Sequence, residues 1–195
     1  MASGRVIFAG ITGAVVGVVL SALHFWRKPE VKQVVDERSK YEQCLQAFRE
    51  GIDYVHRKYG TRPRGVVIEY EKTRGEFTAS YEANSKFIYV SNEWLGDLSR
   101  RKYSCDSKIG GLKIDPIIDA ALVGVEEAFH HYQLTHEAAF YESSRAVYPR
   151  GPDASYEDYR SHPIEKHAED EVLKAFQDIQ TGQWKLGVPG TCLNR

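Results

Sequence analysis

Hydrophobic and polar positions change period along this chain, and each change marks a part. The run from Val6 to Trp26 carries no charge, with Arg5 before it and Arg27-Lys28 after it. A helix needs roughly 20 apolar residues to cross a bilayer, so the pattern predicts a membrane-spanning helix over 6–26. A cleaved secretory leader would have a shorter apolar core ending at a small-x-small site. Leu20-Ser-Ala22 is a poor site of that kind. Pro29 to about Gln33 then reads as a short linker. Tyr41, Leu45, Phe48, Ile52 and Val55 follow at spacings of three and four. They predict an amphipathic helix over 34–59, stopped by Gly60 and Pro63.

The period next falls to two. Val66, Ile68 and Tyr70 share one face of a predicted strand, and Phe77, Ala79 and Tyr81 one face of a second. The segment 86–91, Lys-Phe-Ile-Tyr-Val-Ser, is apolar on both faces and predicts a more buried strand. Glu82 to Ser85 supplies the turn before it. A short helix is predicted over 93–101, and Cys105 to Asp115, with Gly110-Gly111, reads as loop. Asp115-Pro116 opens the longest helical pattern, as cap and first-turn proline. Ile117, Ile118, Ala121, Leu122, Val125, Ala128 and Phe129 form its stripe, and it extends to about Ser143. After a tyrosine-rich loop, Ser161-His162-Pro163 begins a last helix that ends at Gly182. Helices segregated from strands define an α+β class. The expected organisation is an anchor over 1–28, linker and helix over 29–64, and an α+β domain over 65–195 on which helix 34–59 packs.

Charge adds orientation. Arg27, Lys28, Lys32, Arg38 and Lys40 follow the apolar run, and only Arg5 and the terminal amine precede it. The positive-inside rule then places the domain on the cytoplasmic or an equivalent inner side. Cys44, Cys105 and Cys192 are widely spaced, which suits a reducing compartment. The net charge of −1 offers no broad basic field for nucleic acid. The sequence has no P-loop, no Gly-x-Ser-x-Gly and no dinucleotide fingerprint.

The candidate chemistry lies among the histidines, of which His130, His131, His136, His162 and His167 fall late in the chain. The stretch 125–133 reads Val-Glu-Glu-Ala-Phe-His-His-Tyr-Gln. On a helix Glu126 and His130 are one turn apart and share a face. A carboxylate oxygen and an imidazole nitrogen at that spacing can hold one metal ion. Glu127 lies about 100° further round, where it can reach water on that ion as a general base.

These residues resemble the zincin metallopeptidases, with Glu126 standing where the first histidine of His-Glu-x-x-His would be. The strand 86–91 looks like that family's edge strand, which pairs with extended peptide substrate. The segment 162–168, His-Pro-Ile-Glu-Lys-His-Ala, looks like the gluzincin helix that supplies a glutamate as third ligand. The resemblance implies a zincin-like fold with Glu126, His130 and Glu165 as metal ligands and Glu127 as base. His162 would stabilise the oxyanion. The implied ion is zinc, and the function is that of a membrane-anchored peptidase-like hydrolase. A ligand set with two carboxylates also admits manganese, iron or magnesium. The extra anionic ligand should raise the pKa of water on the ion by cancelling more of its charge.

Blander readings exist for each piece. Glu126 and Glu127 suit a solvated helix face, and Glu165 favours the helix dipole whether or not a metal binds. His131, His136 and His167 suit solvent or a rim. Glu127-Ala-Phe-His130 also fits the Glu-x-x-His of di-iron bundles, but those need a second such motif and no strands. The alternative function is a catalytically inactive zincin-like domain acting as a membrane-tethered binding module.

Overall fold

The computed structural model describes residues 29–70, 78–102, 104–106, 112–147 and 156–188. The predicted span over 6–26 lies outside them. Among the described residues no helix is long and apolar enough to cross a membrane. The chain divides into a unit Met1–Arg38 and a unit Ser39–Arg195. Helix α1 covers Pro29–Tyr59. The expected linker at 29–33 is therefore helical. Proline is tolerated in a first turn.

The larger unit is α+β. Strands β1 (Gly65–Glu69), β2 (Ala79–Glu82) and β3 (Phe87–Ser91) form a sheet in the order β1-β3-β2. β1 runs parallel to β3, with Val67 opposite Tyr89. β2 runs antiparallel to β3, with Tyr81 opposite Ile88. Segment 86–91 is thus the centre of its sheet, which corrects the expectation of an edge strand. Its two apolar faces are what an interior strand needs, and Ile88 and Val90 are buried. Ser91 caps the short helix α2 (Asn92–Arg100), its side chain accepting from the Trp94 N–H. The expected loop at 105–115 contains a hairpin instead: β4 (Ser104–Asp106) pairs antiparallel with β5 (Leu112–Ile114). Strands of three residues are too short to show a period in sequence.

Helix α3 (Pro116–His136) is capped by Asp115, whose Oδ1 accepts from the Ile117 N–H at 2.8 Å. It is buried on every side from Pro116 to His131, as a mostly apolar helix must be. It stops seven residues short of the expected end at Ser143, and α4 (Ala138–Arg145) follows after Glu137. No Gly or Pro marks this break. Thr135 stands beside it, its hydroxyl donating to the carbonyls of His131 and Tyr132. α5 (Tyr156–Ser161) and α6 (Pro163–Thr181) complete the order, α5 being unforeseen. α6 ends at Gly182, whose φ of 77° suits glycine.

The core joins Phe48, Ile52 and Val55 of α1, Ile88 and Val90 of β3, and Leu95 and Leu98 of α2 to α3 and α6. Gly51 and Gly124 let α1 and α3 meet backbone to backbone. A Cβ at Gly124 would lie 2.1 Å from the Phe48 carbonyl oxygen, and one at Gly51 2.0 Å from that of Ala121.

A polar clamp ties α1 to α6. Glu171 is fully buried, with Lys58 Nζ donating to its Oε1 at 2.6 Å. Tyr54 donates to Asp178 Oδ2 at 2.7 Å and stacks on Trp184. Burial first, then its hydrogen bond to Glu171, pushes the Tyr59 hydroxyl up to about 12. Lys58→Met should cost about 1–2 kcal/mol, because it strips a buried carboxylate of its shortest donor. Urea unfolding reads this loss directly. Adding Glu171→Met should recover part of it, and a double variant no better than the single would refute the pairing.

Candidate metal centre

α3 carries three of the candidate residues and α6 the fourth. Their burial decides against the solvated-face reading. Glu126, Glu127, His130 and Glu165 are only 6%, 8%, 8% and 7% exposed. His162 caps helix α6, and Glu165 lies in its first turn. Packing of α6 on α3 brings one ligand atom each of Glu126, His130 and Glu165 within 4.8 Å of one another. His130 Nε2 and Glu165 Oε2 are 3.4 Å apart. Two atoms each about 2.0–2.1 Å from a tetrahedral zinc stand about 3.3 Å apart, so this pair needs almost no movement. The donor set of two carboxylates and an imidazole therefore fits a divalent ion.

The electrostatics agree. Burial by itself would push the His130 imidazole down, but the carboxylates of Glu165, Glu127 and Glu126 outweigh it and carry the ring up to about 10. Three carboxyl side chains thus surround one imidazole in a buried pocket. Buried charge is tolerated when it is paired or binds a metal, and a pocket this rich in carboxyl groups favours a cation.

Other neighbours went unrecognised in the sequence. His130 Nδ1 is 2.9 Å from Gln133 Oε1, and Gln133 Nε2 donates to the Ile164 carbonyl at 3.0 Å. The only hint of Gln133 was its place three residues after His130, one helical turn on. Tyr141 of α4 is half-buried. Burial raises its hydroxyl pKa, Arg145 opposes this, and Glu165, Glu142 and Glu127 add to it. Its phenol therefore stands in the field of the site and keeps its proton.

Two histidine expectations need correction. His162 is not poised for an oxyanion. Its Nδ1 accepts from the Ile164 N–H as the cap of α6, and its Nε2 lies 2.9 Å from the Ser144 carbonyl oxygen. Both ring nitrogens thus serve backbone groups. His131, expected at a rim, is 5% exposed and shares a 2.9 Å hydrogen bond with the Tyr81 hydroxyl. Burial first and Lys86 second push its pKa down. His136 is exposed and stacks on Tyr132. His167 is partly exposed and lies edge-on to Phe129 and Phe140, with Nδ1 3.4 Å from Glu137 Oε2.

Tyr148 lies outside the described residues, and Tyr159 is exposed on α5. Cys44 lies on the buried face of α1, and burial pushes its thiol up to about 12, which makes it unreactive. Compared with protein-family models, curated proteins and solved structures, the chain matches none.

Proposed function

We propose that this protein is a zincin-like, metal-dependent hydrolase of peptidase type, anchored through residues 6–26 with its domain on the cytoplasmic or an equivalent inner side. The observation that carries the reading is the convergence of three buried donors, Glu126, His130 and Glu165, within 4.8 Å. Zinc is the proposed ion, and manganese or iron would suit the two carboxylates as well. When bound, the ion supplies Lewis-acid polarisation and a lowered pKa for water.

This chain's residues do the rest. Glu126 and Glu165 neutralise the ion, and His130 presents Nε2 to it. Glu127, buried one residue after Glu126, takes a proton at its carboxylate and later returns it to the leaving amine. Tyr141 keeps a hydroxyl proton available as a donor in the same field. β3 already pairs on both sides, so an extended peptide would add to the outer edge of β2. That strand is joined to α3 through Tyr81 and His131, and main-chain pairing at an open edge is a general mode of peptide capture.

Metal analysis of the purified protein tests the reading. Wild type should hold about one equivalent of divalent metal. Glu126→Ala, His130→Ala and Glu165→Ala should each weaken binding by at least tenfold, and Glu127→Gln should keep the ion. Wild type without stoichiometric metal would sink the reading, and metal that survives all three substitutions would show the ligands are misassigned.

One observation favours the non-catalytic module as a second reading: His162 is committed to the backbone at both nitrogens. Peptide cleavage that depends on Glu127 decides between the two. Metal binding without turnover supports the module.

A further inference from the structure

His130 can hold a metal only if Nε2 is unprotonated and aimed at the carboxylates. Which nitrogen of a histidine bears the proton is set by the partner of the other one. Here that partner is Gln133 Oε1, 2.9 Å from Nδ1. An amide oxygen only accepts, so Nδ1 must donate. The amide cannot flip to offer its NH2 instead, because that NH2 donates to the Ile164 carbonyl at 3.0 Å. Gln133 has no exposed surface, so no water competes for either end. The Ile164 carbonyl belongs to the residue just before Glu165. One buried amide therefore spans both halves of the site: it orients the imidazole on α3 and is itself oriented by the helix turn that carries Glu165.

We propose that Gln133 is the positioning residue of the metal centre, fixing His130 in the Nδ1–H tautomer through its Oε1. The inference rests on the metal-centre reading above. A second partner of this kind is ordinary for ligating histidines, and its removal typically costs 10–100-fold in affinity. An amide is a neutral acceptor, so it orients the ring without adding charge to a ligand set that is already rich in carboxylates.

Two substitutions separate positioning from simple packing. Gln133→Met keeps the length and removes both hydrogen bonds. Gln133→Glu keeps an acceptor for Nδ1–H and loses the donor to Ile164. Zinc affinity of the full-length protein is measured by competition with a chromophoric chelator, beside the thermal midpoint of each metal-free form. Gln133→Met should bind zinc about 10–100-fold more weakly, while Gln133→Glu should stay within about threefold of wild type, although both lose stability. Equal weakening in the two variants, or none in either, would overturn the proposal, because packing and the Ile164 bond are lost in both.

A wild type that takes up no zinc refutes the metal centre itself. Nitrogen-15 spectra of metal-free His130 then decide the role of Gln133. An Nδ1 proton protected from exchange in wild type and lost in Gln133→Met sustains the positioning. An unprotected proton in wild type overturns it.

Discussion

Gly124→Ala should destabilise the protein by about 3 kcal/mol, although helix propensity alone predicts a gain of about 1 kcal/mol. The added Cβ would meet the Phe48 carbonyl oxygen at 2.1 Å, far inside contact distance. That oxygen belongs to a helix backbone and cannot rotate away as a side chain would. α1 and α3 must part instead, and the contacts of Phe48, Ile52 and Val55 with the rest of the core loosen with them. Overpacking costs 1–3 kcal/mol and occasionally more, and a clash with main chain belongs at the upper end. For a domain of this size the thermal midpoint should drop by roughly 6–12 °C. Gly51→Ala should act with the same sign, since its Cβ would lie 2.0 Å from the Ala121 carbonyl oxygen. The double variant should fall short of the sum, because both changes open one crossing. A raised midpoint in either single variant would show that the helices separate at no cost.

The second large effect is a pH dependence that metal abolishes. His130 sits among carboxylates that raise its folded pKa to about 10 against the opposing pull of burial. Unfolded, the ring titrates near 6.5. A group whose folded pKa is raised stabilises fully below its unfolded value and loses that contribution as pH climbs through the folded one. Metal-free protein should therefore lose stability steadily between about pH 6.5 and 10, by an amount that His130→Gln removes. Metal binding displaces the proton, so affinity should fall as pH drops. The zinc-loaded protein carries no proton on His130 Nε2, so its stability should rise with pH up to about 6.5, where the unfolded ring deprotonates, and stay level across the window above. Urea unfolding with and without chelator at several pH values measures both slopes. A metal-free slope that is unchanged in His130→Gln would remove the carboxylate cage as its cause.

Much of this was legible in sequence where one signal dominated. The three-and-four spacing of Tyr41 to Val55 located α1, and the stripe from Ile117 to Phe129 located α3. The Glu126–His130 pair was legible because helical spacing fixes which side chains share a face. Its partner Glu165 was legible only through family resemblance, since nothing in the spacing of α6 says where that helix docks. The burial of Glu126 and Glu127 was hidden for the opposite reason. Two adjacent acids ordinarily mean water, and only the packing of α6 on α3 reverses this. The break at Glu137 was invisible because local sequence there favours continuing the helix. Strand order was also hidden: the apolar faces of 86–91 signalled an interior strand, yet the family likeness pointed to an edge, and pairing with β1 and β2 decided the matter. Gln133 escaped because glutamine is ordinarily a surface residue, and here it is fully enclosed.

The bond between Tyr81 and His131 carries one last consequence. β2 has only four residues, held on one side by β3. If that pairing slipped by one position, Tyr81 would swing to the opposite face of the sheet. His131 would lose its phenol, and the disturbance would arrive one residue from His130. Misalignment of a short strand is thereby converted into the loss of a phenol partner from an imidazole inside α3. The hydrogen bond acts as a proofreading contact, penalising sheets zipped in the wrong frame at the place where the candidate ligands must converge.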